Sequence, residues 1–250
     1  MTARVAIITG GGSGIGRATA LCLASRGYAL VLAGRRPDRL GAVAGEVRIL
    51  GAEVLEHAVD VRDETQVAAL FEAAVSRFGR VDLLVNNAGT APPPGPIEDL
   101  SATAWRRVID VNLTGAFLCL QAAFRIMKTQ TPRGGRIVNV GSISAHAPRP
   151  NSAPYTASKH ALTGLTRSAA LDGRRFDIVC SQIDFGNTES DMAAAISEGV
   201  RQANGSIATE PVMDARIAGE AIAYMDSMPL AANVQFLTLL PTNMPFIGRG

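Results

Sequence analysis

The chain has 250 residues, 47% apolar and 18% charged, which is enough for one α/β core and too apolar for disorder. Its formal net charge is +2 and no run of Lys or Arg exceeds two, so a nucleic-acid partner is not expected. Cys22, Cys119 and Cys180 form no CxxC, and His57, His146 and His160 form no HExxH, so buried thiols in a reducing compartment are expected and a metal site is not.

The N-terminus enters a strand pattern at Val5, without the charged and apolar regions of a signal peptide. No apolar run reaches ~18 residues, so no membrane span is expected and the cytoplasm is the expected location. In chain order, short β-branched apolar runs predict strands at Val5–Thr9, Ala29–Ala33, Glu53–Ala58, Leu83–Asn86, Arg136–Gly141, Ile178–Ile183 and Val234–Leu239. Several are apolar on both faces, as buried parallel strands are. Helical patterns lie between them, at about Gly14–Arg26, Arg39–Leu50, Glu64–Phe78, Ala102–Lys128, Ser152–Gly173 and Asp214–Met225. Gly27 and Gly79 stand where helix stops belong. Strand and helix alternate throughout, which predicts right-handed βαβ units in a Rossmann-type, doubly wound, mostly parallel seven-stranded sheet with helices on both faces. No linker or repeat divides the chain, so residues 1–250 are expected to form a single domain.

The first strand runs into Thr9-Gly-Gly-Gly-Ser-Gly-Ile-Gly16 and then a helix. Glycines let the backbone turn sharply and approach a pyrophosphate, and the free N–H groups of the helix start face the anion. The spacing is TGxxxGxG, carried by Gly10, Gly14 and Gly16 with Ser13 and Ile15 between them, and differs from the common GxGxxG fingerprint. A flexible loop is the bland alternative, disfavoured by the position between strand and helix. The second strand leads to Gly34-Arg35-Arg36. An acidic residue here would bond a ribose 2′-hydroxyl, whereas Arg35 suits a 2′-phosphate, so NADP(H) is favoured and NAD(H) remains open. Solvated helix-start residues are the other reading of Arg35 and Arg36.

Tyr155-Thr-Ala-Ser-Lys159 is YxxxK, whose i and i+4 positions share a helix face. A phenol with an ordinary pKa of ~10 is a poor base at neutral pH. A nearby ammonium, with a positive nicotinamide ring, would lower that value, and Tyr155 could then exchange a proton with an alcohol or carbonyl. The spacing alone also fits an exposed helix pair. Ser142, at the carboxyl end of a parallel strand, is placed to hold a substrate oxygen or to cap a turn. Asn112 is unfavourable inside its predicted helix and is expected to kink it or hold water.

Together, Thr9–Gly16, Asp60-Val61, Asn86-Asn-Ala-Gly89, Asn112, Ser142 and Tyr155–Lys159 resemble the short-chain dehydrogenase/reductase family over nearly the whole chain. The resemblance implies a catalytic tetrad of Asn112, Ser142, Tyr155 and Lys159. It also implies that Asp60 bonds the adenine amine beside Val61, that Asn87, Ala88 and Gly89 line the cofactor groove, and that Lys159 bonds the nicotinamide ribose. Asn112 would hold a water that relays protons, and hydride would pass between nicotinamide and a carbonyl or secondary-alcohol carbon. A homotetramer or homodimer is implied too, with Phe117, Leu118 and Leu120 as either seam or ordinary core.

The C-terminal third departs from the pattern. Phe185 stands where the family often has Pro, Ser190 takes a place often held by Thr, and Leu240-Pro-Thr-Asn follows the last strand in place of Asp-Gly-Gly. Gly186 and Thr188 keep positions that could meet the carboxamide. A substrate loop is expected over about 184–210, with a helix and loop near Asn187–Thr209 and an apolar wall of Ala193, Ala194, Ile196 and Val200. The expected activity is an NADP(H)-dependent oxidoreductase acting on a small carbonyl or alcohol. The choice between 3-oxoacyl thioesters and sugar, steroid or small alcohols is open. A non-catalytic NADP(H) redox sensor is the alternative from another class.

Overall fold

The structure, a computed structural model, describes residues 3–92, 94–190 and 199–247. Seven parallel strands form one sheet: β1 (Val5–Thr9), β2 (Ala29–Gly34), β3 (Val54–Ala58), β4 (Leu83–Asn86), β5 (Gly135–Val140), β6 (Ile178–Phe185) and β9 (Phe236–Leu239). Their order is β3-β2-β1-β4-β5-β6-β9. The order reverses direction between β1 and β4, and the crevice above such a switch point is where doubly wound sheets bind ligands. The family-type fold expected from the sequence is therefore present, and the sheet is parallel at every pairing.

The helices are α1 (Gly14–Ala24), α2 (Pro37–Ile49), α3 (Glu64–Phe78), α4 (Ala102–Ile109), α5 (Gly115–Met127), α6 (Ala153–Gly173) and α7 (Ala215–Ser227). Strand alternation sends Ala6 and Ile8 into a core shared with α1, α2 and α7, and Ile7 into a second core shared with α3, α5 and α6. At ~1.5–3 kcal/mol per fully buried large apolar side chain, these two layers dominate the stability. α3 shows why local sequence sets local limits. Asp63 caps it by accepting from the N–H groups of Thr65 and Gln66, and Gly79 ends it at φ 81°.

Three expectations change. The helix expected over Ala102–Lys128 is two α-helices joined by a π-turn at Asp110–Thr114, which contains Asn112. This stretch is long and apolar enough by composition to cross a membrane, yet it lies against β4, β5, α3 and α6. Second, within the helix and loop expected near Asn187–Thr209, the described residues 199–209 carry an antiparallel hairpin, β7 (Val200–Arg201) and β8 (Ile207–Ala208). Asn204 and Gly205 make its turn: Gly205 has φ 86° and the Asn204 side chain accepts from the Ser206 N–H. Ala193, Ala194 and Ile196 lie outside the described residues. Third, several ends move by one or two residues: α1 stops at Ala24, β6 runs on to Phe185, and β9 begins at Phe236. Leu120 is core, Leu118 packs partly against it, and Phe117 is exposed.

Candidate active site

The site is built where β1 and β4 end. The buried Thr9 hydroxyl accepts from the main-chain N–H groups of Asn87 and Ala88, both at 3.0 Å. The Asn87 amide donates back to the Thr9 and Gly10 carbonyls at 2.9 and 3.2 Å. Both strand ends are thus locked together beneath the crevice, and Gly89 follows, exposed. The glycine turn is sterically required. Gly10 adopts φ +66°, and a Cβ at Gly16 would lie 2.2 Å from the Gly10 carbonyl oxygen. Ser13 is the N-cap of α1 but makes no side-chain capping bond, and no acidic side chain stands in the first turn with Gly14 and Ile15. The α1 terminus therefore suits an anion.

Arg35 is exposed just beyond β2 and has no hydrogen bond or ion pair among the described residues. Asp60 is held by Arg62, whose Nη2 lies 2.6 Å from the carboxylate. That hydrogen bond holds the Asp60 carboxyl below its usual range, with a smaller contribution from the charge of Arg35. The adjacent Val61 is buried against Gly115, where a Cβ would sit 2.6 Å from the valine side chain.

The four residues of the expected tetrad come together at the carboxyl end of β5 and the start of α6. Pro154, in the first turn of α6, suits the helix start, and Tyr155 and Lys159 follow one turn apart. Lys159 is buried, its Nζ 5.6 Å from the Tyr155 ring centre and donating to the Val140 carbonyl at 2.7 Å. Ser142 stands near enough to the Tyr155 side chain to lower its pKa, and its hydroxyl accepts from the Ser144 N–H at 3.1 Å, which is the turn-capping role considered for it.

Asn112 is 2% exposed. Its Oδ1 accepts from the Thr90 N–H at 2.8 Å, and its Nδ2 donates to the Thr90 carbonyl at 2.9 Å and to the Ser158 hydroxyl at 3.1 Å. Ser158 in turn donates to the Tyr155 carbonyl at 2.7 Å. The π-turn presents the amide inward so that it ties the segment after β4 to α6.

Electrostatics in the protein alone run against the sequence expectation for Tyr155. Burial pushes its pKa above the ordinary phenol value; the Ser142 hydrogen bond and the Arg149 charge oppose this, and Asp184 adds to it. Desolvation of a phenolate is the dominant cost. Burial also lowers Lys159 to about 8, with Asp184 partly opposing.

Gly186 is packed under Leu240 and Met244, and Thr188 is buried with its hydroxyl donating to the Gly186 carbonyl at 3.2 Å. Several site residues were missed from sequence. Asp184 is buried in β6, accepts from the Ser142 N–H at 3.0 Å, and lies 2.8 Å from His146 Nε2. Arg149 bonds Asn187 and the buried Glu210 at 2.8 and 2.6 Å, joining the segment after β5 to the one before α7. One signal was available for Asp184: an acid inside a strand run, between the apolar Ile183 and Phe185.

A family model described as short chain dehydrogenase matches residues 4–201. The cis-4-hydroxycyclohexanecarboxylate dehydrogenase of Sinomonas cyclohexanicum is 40% identical over 229 residues, covering 90% of this chain and 89% of that protein. A variant of actinorhodin polyketide ketoreductase, solved with NADPH, superposes with TM-score 0.86 at 30% identity, covering 95% of this chain and 97% of that one. The 3-ketoacyl-(acyl-carrier-protein) reductase of Brucella melitensis, solved with NADH, gives 0.84 at 28% identity, covering 96% of each chain. With the strand order, the glycine turn and the Ser142–Tyr155–Lys159 cluster, these matches make the chain an oxidoreductase belonging to the short-chain dehydrogenase family.

Proposed function

We propose that the protein is an NADP(H)-linked dehydrogenase or carbonyl reductase in which Tyr155 exchanges a proton with a secondary alcohol or ketone. One observation carries this reading: the buried Lys159 ammonium stands 5.6 Å from the Tyr155 ring centre, one helical turn from it. The residues fit a nicotinamide dinucleotide. The α1 terminus and glycine turn suit the pyrophosphate, and Arg35, exposed and unpaired among the described residues, suits a 2′-phosphate. NAD(H) is the second choice.

When bound, the cofactor supplies or accepts the hydride. In the reducing direction, Ser142 and Tyr155 hold the substrate oxygen, and Tyr155 donates its hydroxyl proton to the alkoxide that forms. In oxidation the phenolate takes that proton back. Lys159 stabilises the phenolate by charge, and Asn112 fixes the backbone of Thr90 and, through Ser158, the Tyr155 turn of α6. Asp60, Val61, Asn87, Ala88 and Gly89 are assigned to the cofactor groove, and Gly186 and Thr188 to the carboxamide end.

We read the whole chain as one cofactor-binding domain with its substrate loop over 184–210. The cytoplasm is the proposed compartment, consistent with the three buried free thiols. Exposed Trp105 and Phe117 are assigned to a subunit interface of a dimer or tetramer. The name of the 40%-identical relative contains a ring secondary alcohol, so cyclic alcohols and ketones head the candidate substrates. The test is a panel of cyclic, acyl-thioester and aliphatic carbonyls with NADPH, followed by absorbance loss. Turnover of one class is expected. Tight NADPH binding without oxidation of any carbonyl would favour the redox sensor.

A further inference from the structure

Asp184 is 1% exposed in β6, a strand whose eight residues are all buried. A carboxylate in such a place needs compensation by hydrogen bonds or charge. Its Oδ1 accepts from the Ser142 N–H at 3.0 Å and from the Gln182 amide at 2.7 Å. Its Oδ2 lies 2.8 Å from Nε2 of His146. Ser142 and His146 are the two ends of one short turn after β5. A Cβ at Gly141 would lie 1.8 Å from Asp184 Oδ1, so the carboxylate fills the place that a side chain on the neighbouring strand would take.

Asp184 also ends a buried polar row. The Asn86 amide donates to Asn139 at 3.0 Å, Asn139 to the Thr166 hydroxyl at 2.9 Å, Thr166 to Gln182 at 3.0 Å, and Gln182 to Asp184 at 2.7 Å. This row crosses β4, β5, α6 and β6 beneath the reacting groups and anchors the carboxylate. A polar chain across an apolar core stabilises a fold less than apolar packing would, so it needs a reason in the site.

We propose that Asp184 is a positioning residue for the reaction: its carboxylate clamps both ends of the Ser142–His146 turn and so holds the Ser142 hydroxyl on Tyr155. The inference rests on the proton-transfer role assigned above to Tyr155. The same negative charge acts on two ionisable groups of α6, Lys159 and Tyr155, and faces the exposed imidazole of His146; the Arg149 charge opposes it at Tyr155. Burial sets both α6 pKa values, and Asp184 raises each of them. The His146 ring stands edge-on to Phe246 of the C-terminal segment, 6.4 Å between centres, so the turn also touches the end of the chain.

The test compares wild type, Asp184→Asn, Asp184→Ala and His146→Ala in alcohol oxidation with NADP as a function of pH, alongside NADPH affinity by fluorescence titration. Asp184→Asn keeps the shape and an acceptor for the Ser142 N–H but removes the charge. It is expected to keep most of kcat and to move the alkaline-activating pKa of kcat/KM downward. Asp184→Ala loses the clamp as well and is expected to lower kcat by about tenfold or more at unchanged NADPH affinity. His146→Ala is expected to give a smaller kcat loss.

If Asp184→Ala does not fold, the Asp184→Asn profile decides. An unshifted Asp184→Asn profile, or kcat losses matched by equal losses of NADPH affinity and melting temperature, would mean a merely structural carboxylate and would overturn the proposal. The proton-transfer reading fails separately, if Tyr155→Phe turns over normally, and the Asp184 role then falls with it.

Discussion

The Lys159 ammonium donates a 2.7 Å hydrogen bond to the carbonyl of Val140, two residues before Ser142. One strand end therefore sets both partners of Tyr155: Lys159 is tied to the last residue of β5, and Ser142 follows two residues later. The reacting geometry is referenced to two strands buried along their whole length, β5 and β6. Rigid elements of this kind hold a proton donor more accurately than loops do.

Ser142→Ala should remove the hydrogen bond that lowers the Tyr155 pKa, leaving the burial that raises it. The pKa then rises further. Alcohol oxidation, which needs the phenolate, should shift to higher pH, while carbonyl reduction, which needs the phenol, should not gain an acid shift. A loss of about 10²-fold or more in kcat/KM is expected, from poorer substrate placement and acid–base efficiency. Initial rates in both directions across pH check this. An acid shift of the oxidation limb would contradict it.

Lys159→Met should separate stability from chemistry. Burial lowers Lys159 to about 8 in the folded protein. An unfolded lysine titrates near ~10.4, so between these values the unfolded chain binds more protons and folded stability rises with pH. The cost of the buried ammonium is full below the folded pKa and is relieved as pH climbs toward the unfolded one. The variant lacks this effect. From pH 7 to 10 the stability gap should move toward wild type by roughly 3 kcal/mol at most, because a tenfold change in proton affinity is worth about 1.36 kcal/mol. Denaturant melts at both pH values measure it, and a pH-independent gap would contradict it. Turnover should fall at all pH values.

Arg35→Asp should discriminate between the cofactors. A charge-assisted hydrogen bond is worth about 1.5–3 kcal/mol, so NADPH affinity should fall by about 10-fold to 100-fold. NADH, which lacks the 2′-phosphate, should bind nearly as before. Fluorescence titrations with both cofactors decide this, and equal losses would remove Arg35 from phosphate recognition.

How far the sequence reveals these features depends on whether a feature is local. β1, β2 and β4 are legible because both of their faces are buried, which leaves nearly unbroken apolar runs, and β5 keeps the apolar Ile137, Val138 and Val140 around Asn139. β3 and β9, at the sheet edges, are half-exposed, and their limits are correspondingly harder to read. The glycine turn and the i, i+4 pair of Tyr155 and Lys159 are legible because local geometry requires them. The π-turn is not, since the insertion is held by bonds from Asn112 to Thr90 and Ser158, which lie 22 and 46 residues away. The hairpin at Val200–Ala208 had a local signal, Asn204-Gly205, which the expectation of a helix and loop near Asn187–Thr209 overlooks. Asp184 gains meaning only beside Gly141, just past the end of β5, and His146 beyond it.

The central claim is that Tyr155 moves the proton. The most direct measurement is kcat of Tyr155→Phe with the best substrate of the carbonyl panel, together with its NADPH dissociation constant. The ring, its packing and the cofactor groove should be retained, so NADPH affinity should stay within about threefold, while kcat should fall by about 10²-fold to 10⁴-fold. Near-normal turnover with the hydroxyl absent would contradict it.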